Sequence, residues 1–145
     1  MNHIFGPVNS RRLGRSLGID LLPRKICNFD CIYCEVGPTT NLTCERKEYV
    51  PTDSIIAEIE EYCSDIQWLK SVDVVTVTAS GEPTLHSGLG RILKYPEDRP
   101  CNLIAVLFSG TKLDNHELVR AQSRADFVVP SLGASYGQTY CEFQR

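Results

Sequence analysis

The run VDVVTVTA at residues 72–79 is β-branched along nearly its whole length and leaves little choice of conformation. Val and Thr lose side-chain freedom in a helix and pack well on a pleated surface, so the run predicts a strand. A strand this apolar suits a parallel sheet covered on both faces. Residues 17–22 (LGIDLL), stopped by Pro23, predict an earlier strand of the same kind. Residues 102–108 (NLIAVLF) predict a third and residues 126–132 (DFVVPSL) a fourth.

Helical periodicity fills the gaps. Within PTDSIIAEIEEYCSDI, Ile55, Ile59, Tyr62 and Ile66 recur at helical spacing, with Thr52 or Asp53 able to cap the start. A short helix is expected at 85–94, and another runs from a capping Asn115 to Arg124. Strand, loop and helix repeated in this way predict an α/β fold of right-handed βαβ units around a parallel sheet. No linker, internal repeat or low-complexity segment divides residues 1–145, which read as one domain. Such folds carry their chemistry in the loops beyond the C-terminal ends of the strands. The cysteine segment, Ser80-Gly81-Glu82-Pro83 and Ser109-Gly110 occupy those loops and should face one side of the sheet.

Composition excludes several classes. Hydrophobic content of 42% and charged content of 23% describe an ordinary globular chain. A formal net charge of -3 gives no global attraction to nucleic acid or anionic lipid. No apolar run is long enough for a membrane span, and MNHIFGPVNSRR lacks the apolar core of a signal peptide, so the expected location is cytoplasmic. Seven cysteines, odd in number and unevenly placed, do not describe a secreted disulfide framework.

Three of the seven cluster in KICNFDCIYCEVG: Cys27, Cys31 and Cys34. Their C-x3-C-x2-C spacing allows convergence on one metal centre. Structural zinc normally takes four ligands in pairs, and no second pair exists here, nor do His3 and His86 have partners at ligand spacing. An iron–sulfur cube needs only one protein ligand per iron, so three thiolates would leave a fourth iron open to a small molecule. Zinc or simple burial of the thiols are the alternatives. Cys44 could shield or ligate such a centre, Cys63 lies on the apolar side of a helix, and Cys101 and Cys141 have no evident partner.

CNFDCIYC is similar to the cluster-binding motif of radical S-adenosylmethionine (SAM) enzymes. More narrowly, GPVNSRRLGRSLGIDLLPRKICNFDCIYCEVG resembles the radical SAM group that includes enzymes forming the wyosine base of tRNA. The resemblance runs from about Phe5 through the fourth strand. It implies a [4Fe–4S] cluster held by Cys27, Cys31 and Cys34, with SAM chelating the open iron. One electron from the cluster would cleave SAM to methionine and a 5′-deoxyadenosyl radical that abstracts a substrate hydrogen. By the same resemblance Tyr33 lies near the adenine, and Gly81, Glu82 and Pro83 match a GGEP-type motif that binds the SAM amino group. Ser109 and Ser131 would donate to the ribose or carboxylate. Alone, Gly-Glu-Pro is a common turn; its place after a strand and downstream of the triplet gives it weight. The implied partners are a reducing donor such as flavodoxin or ferredoxin and a substrate for which tRNA is the family suggestion.

The chain departs from the family in three ways. Phe108-Ser109-Gly110-Thr111 replaces a TNGT-like run, and Gly133 stands where an acidic residue is usual. Four strands precede Arg145, whereas a radical SAM core is a partial TIM-type barrel of six βα units. The chain therefore reads as the N-terminal part of such a barrel, with an open edge for a dimer mate or partner to cover. A truncated, non-catalytic iron–sulfur protein for electron transfer or storage is the alternative function. The basic residues Arg11, Arg12, Arg15, Arg24 and Lys25 would serve phosphate contacts in a tRNA enzyme; a solvated loop, or a cover offsetting the cluster's charge, is the simpler expectation. His3, His86 and His116 are expected at the surface.

Overall fold

A computed structural model of the chain describes residues 3–97, 103–110 and 115–130. Two strands open the chain, β1 (Ile4–Ser10) and β2 (Gly14–Asp20). Two short strands, β3 (Ile26–Cys27) and β4 (Asn41–Leu42), flank the cysteine loop. Helices α1 (Thr52–Cys63) and α2 (Ile66–Leu69) lead to β5 (Val74–Thr78). A 3₁₀ turn at Pro83–Leu85 and α3 (Leu89–Glu97) precede β6 (Leu103–Phe108), α4 (His116–Gln122) and β7 (Phe127–Pro130).

The sheet order is β1-β2-β5-β6-β7, with β2, β5, β6 and β7 parallel and β1 antiparallel at one edge. The chain is thus an α/β protein with a mostly parallel sheet. Register explains the core. Leu17 pairs with Val75 and Val75 with Ile104; Ile19 pairs with Val77 and Val77 with Val106. These two apolar rows belong to one buried cluster with Ile55 and Ile59 of α1, Leu89, Ile92 and Leu93 of α3, and Leu118 of α4. Each such side chain contributes roughly 1.5–3 kcal/mol on burial. The alternate row through Gly18, Thr76 and Ala105 is small or polar, and Ser16 and Thr76 share a buried hydroxyl bond of 2.6 Å.

Several expectations need correction. β1 was not foreseen because Gly6-Pro7, a cis pair, and a register shift between Phe5 and Val8 break its alternation. Neither Thr52 nor Asp53 caps α1: Pro51 holds the cap position, and Glu48 accepts from both the backbone N–H (2.9 Å) and the hydroxyl of Thr52. The helix stops at Cys63 instead of reaching Ile66, which is exposed, because Asp65 accepts from Gln67 N (3.0 Å) and Trp68 N (3.1 Å) and starts a new turn. The expected helix at 85–94 begins only at Leu89. Asn115 does cap α4, through Glu117 N and Leu118 N. Of the fourth strand, the part beyond Pro130 lies outside the described residues, as do Ser131, Gly133, Cys101 and Cys141. No described helix is long and apolar enough to cross a membrane.

His86 is not a surface residue; it is fully buried. Gly88 N–H donates to its Nδ1 at 3.0 Å, so Nδ1 carries no proton, and Nε2 donates to the Val50 carbonyl at 2.8 Å. Both ring nitrogens are satisfied only in this neutral form. Burial accordingly holds the His86 pKa below its ordinary value, more than the Val50 bond and nearby Glu48 raise it. The unfolded imidazole takes its proton near pH 6.5 and the folded one only at lower pH. Stability should therefore be undiminished above that pH and fall as pH drops through it. Urea unfolding midpoints measured from neutral pH down toward about pH 5 should decline, and His86→Gln should flatten that decline while lowering stability at neutral pH.

Candidate functional site

The site starts where β2 ends. The expected strand to residue 22 stops earlier, at Asp20; Leu21 and Leu22 bury beyond it, and the chain enters β3 at Ile26. Residues 28–40 then loop out and return as β4, which pairs parallel to β3 with Cys27 opposite Leu42. Polar side chains close this loop from within. The Lys25 carbonyl accepts from Thr40 N (3.1 Å), Thr40 Oγ1 (2.8 Å) and Asn41 N (3.3 Å). Thr39 donates its hydroxyl to the Phe29 carbonyl at 2.6 Å and its N–H to Asp30 at 2.8 Å. The Lys25 side chain, only 6% exposed, turns into the loop and donates to the Gly37 carbonyl. Gly37 has φ +93°, which suits glycine.

The Gly-Glu-Pro turn packs directly on this loop. Glu82 N–H donates to the Ile26 carbonyl at 2.9 Å. A Cβ on Gly81 would lie 1.8 Å from that same carbonyl oxygen, so the two backbones can meet only because position 81 is glycine. Asp20 ties the ends of β2 and β5, accepting from Ser80 N (2.9 Å), the Ser80 hydroxyl and Leu22 N (3.0 Å). Glu82, 2% exposed, ties β5 to β6: Oε1 accepts from Thr84 N (3.1 Å) and the Thr84 hydroxyl, and Oε2 accepts from Ser109 N at 2.8 Å.

These contacts assemble one open cavity of about 210 Å³, lined by Cys27, Cys31 and Cys34 with Phe29 and Tyr33, by Thr78, Gly81 and Glu82, and by Leu107, Phe108 and Ser109. The three loops predicted to face one side of the sheet do so. All three cysteines are half-buried and unpaired. Burial pushes the Cys27 thiol above its ordinary pKa, with the Glu82 and Cys31 charges adding to it and the Phe29 N–H and Lys25 opposing it. Burial likewise raises Cys31, opposed by its Tyr33 hydrogen bond and by Lys25. The loop thus holds thiols, Cys27 and Cys31, whose ionisation a nearby cation or a bound metal would favour, the proton passing to solvent. Among the described residues no three His, Cys, Asp or Glu side chains could hold a single metal ion. A polynuclear cluster makes a different demand, one thiolate at each iron.

Of the residues singled out in sequence, Cys27, Cys31, Cys34, Tyr33, Gly81, Glu82 and Ser109 come together. Pro83 does not line the cavity; it is buried at the start of the 3₁₀ turn. Ser131 lies outside the described residues, and Cys44 is exposed and away from the lining. Cys63 packs against the core. The basic residues divide. Arg11, Arg12 and Arg15 sit around the β1–β2 turn, at the opposite end of β2 from the cavity, and Arg24 is exposed. Lys25 alone turns inward. Sequence reasoning missed Phe29, Thr78 and the Asp20–Ser80 tie; the signal for Asp20 was a lone charge at the end of an apolar strand.

No family model matches the chain, and no solved structure matches it significantly. Curated proteins do. It is 37% identical over 140 residues to a GTPase Obg of Brachyspira hyodysenteriae, an overlap of 94% of this chain and 20% of that protein. It is 39% identical over 130 residues to a UPF0026 protein of Synechocystis, across 89% of this chain and 47% of that one. A UPF0026 protein of Methanocaldococcus jannaschii is 44% identical over 98 residues, across 68% and 30%. The chain spans less than half the length of each of these relatives.

Gly81→Ala tests the contact on which the cavity depends. The added methyl group should destabilise the chain by about 1–3 kcal/mol in urea unfolding, since the obstacle is backbone and not a flexible side chain. An unchanged midpoint would show that the two loops are not in contact.

Proposed function

We propose that the cavity holds a [4Fe–4S] cluster through Cys27, Cys31 and Cys34, with SAM beside it, and that the protein is a radical SAM enzyme. The observation that supports this reading is the convergence, in one cavity, of three unpaired thiols with the aromatic, Gly-Glu and Ser positions that the sequence resemblance implies. When bound, the cluster and SAM together supply reductive cleavage of the sulfonium to methionine and a 5′-deoxyadenosyl radical that takes a hydrogen atom from substrate.

The chain's own residues divide the remaining work. The three thiols give up protons to bind iron, and the Lys25 ammonium offsets the negative charge this brings into the loop. Tyr33 and Phe29 offer flat apolar surface for a base. Leu107 and Phe108 close one wall and limit water. The Ser109 N–H is bonded to Glu82, which fixes the Ser109 backbone at the cavity edge. The sheet of four parallel strands, with helices on its apolar rows, is in keeping with the N-terminal part of a partial barrel. The residual units, the substrate and the electron donor belong to that same proposal, with tRNA as its family suggestion. GTP hydrolysis is not carried over from the relative named a GTPase, because the 145 residues hold no G-x-x-x-x-G-K-[ST] run.

One observation favours the second reading, a cluster-binding protein without SAM chemistry. Glu82 already accepts from three donors of its own chain, out of about four acceptor positions on a carboxylate. Anaerobic reconstitution, reduction and addition of SAM separates the two. The enzyme reading predicts 5′-deoxyadenosine from the intact protein and none from Cys34→Ala. Intact SAM beside a full complement of iron would support the second reading.

A further inference from the structure

A second cavity, more voluminous than the cysteine site, lies on the helical side of the sheet. It is a groove of about 310 Å³ between α3 and α4, and it shares no residue with the cysteine cavity. Among the described residues, five cationic side chains line it, Arg46, Arg91, Lys94, Arg120 and Arg124, against one carboxylate, Glu117. This concentration runs against a chain whose net charge is -3. Arg91 pairs with Asp53 of α1 at 2.7 Å and Arg46 with the largely exposed Glu117 at 3.6 Å, both weak surface contacts. Helix dipoles favour Lys94 and Arg120 in the last turns of their helices but oppose Arg91 in the first turn of α3. Arg91 and Lys94 on α3 are like-charge neighbours at i,i+3, an arrangement that costs stability in an isolated helix, and Arg120 of α4 and Arg124, just past its C-cap, face the same groove. An anion placed between these cations would relieve their mutual repulsion.

We infer that the α3–α4 groove binds the phosphodiester backbone of a nucleic acid. Four of the five cations are arginines, whose planar forks match phosphate oxygens bidentately. Among the described residues the lining contains no aromatic ring on which a base could stack and no Asn or Gln to read a base edge, so recognition would be of backbone charge and independent of sequence. The Arg46 Nε–H donates to the Thr84 carbonyl at 3.0 Å, which fixes the rim of the groove to the turn that follows Glu82. A strand bound here would cross the outside of the domain, on a face separate from the cysteine site. The inference stands without the radical SAM reading.

Fluorescence anisotropy with a labelled, mixed-sequence single-stranded RNA tests it directly, titrated at salt between about 50 and 200 mM. The wild-type chain should bind with a steep salt dependence. The charge reversal Lys94→Glu with Arg120→Glu, both exposed positions, should weaken binding at least about tenfold and reduce the salt slope by about 2, one for each lost phosphate contact. The neutral pair Lys94→Gln with Arg120→Gln should give the same reduction in slope and guards against a folding defect in the reversal. Arg11→Glu with Arg12→Glu, the same change of net charge at the far end of the sheet, should leave both quantities unaltered. Three results would overturn the inference: no wild-type binding at the lowest salt, equal weakening by the two charge reversals, or binding of tripolyphosphate with none of the RNA.

Discussion

The hydrogen bond from Glu82 N–H to the Ile26 carbonyl makes one cavity out of three loops. It joins the backbone immediately before Cys27 to the turn after β5, and it forms only because Gly81 has no side chain to strike that carbonyl. From there the connections run outward. Asp20 binds Ser80 and so ties β2 to β5; Glu82 binds Ser109 and so ties β5 to β6. The parallel register supplies the frame, since it sets the C-terminal ends of β2, β5 and β6 side by side. Each tie spends a buried or half-buried carboxylate on strand ends, where backbone N–H groups would otherwise lack partners.

Gly81 and Glu82 therefore have structural reasons for their identities apart from any ligand. Gly81 is demanded by close approach. Glu82 is a buried clamp whose two oxygens reach donors on either side of the turn. A carboxylate so held is well oriented, and whatever it offers to a ligand is offered from a fixed position. Lys25 plays the matching part in the cysteine loop, where a single buried ammonium stands among thiols that burial keeps protonated.

Periodicity made most of the framework legible, because the β-branched run at 72–79 and the short apolar run at 102–108 read as strands. The location of the site was legible too, as a consequence of βαβ handedness placing loops on one side. What was not legible depended on partners distant in sequence. The edge strand Ile4–Ser10 is interrupted by Gly6-Pro7 and is held by β2 across a turn. His86 reads as polar, yet its ring satisfies Val50 and Gly88 and is enclosed. The helix at 52–66 broke at Asp65 because a side chain two and three residues upstream of Gln67 and Trp68 competes for their N–H groups. The basic residues were misjudged as one group: β2 carries Arg15 to one end of the sheet and delivers Lys25 to the other. The groove between α3 and α4 gathers cations from residues 46 to 124, a cluster that no local window contains.

The central claim is that three thiolates hold a cluster with one iron open to SAM. Electron paramagnetic resonance of the reduced, reconstituted protein, recorded before and after SAM is added, examines it most directly. The account predicts a [4Fe–4S]⁺ signal whose g values move when SAM binds. A cubane signal indifferent to SAM, or iron that forms no cubane at all, would contradict it.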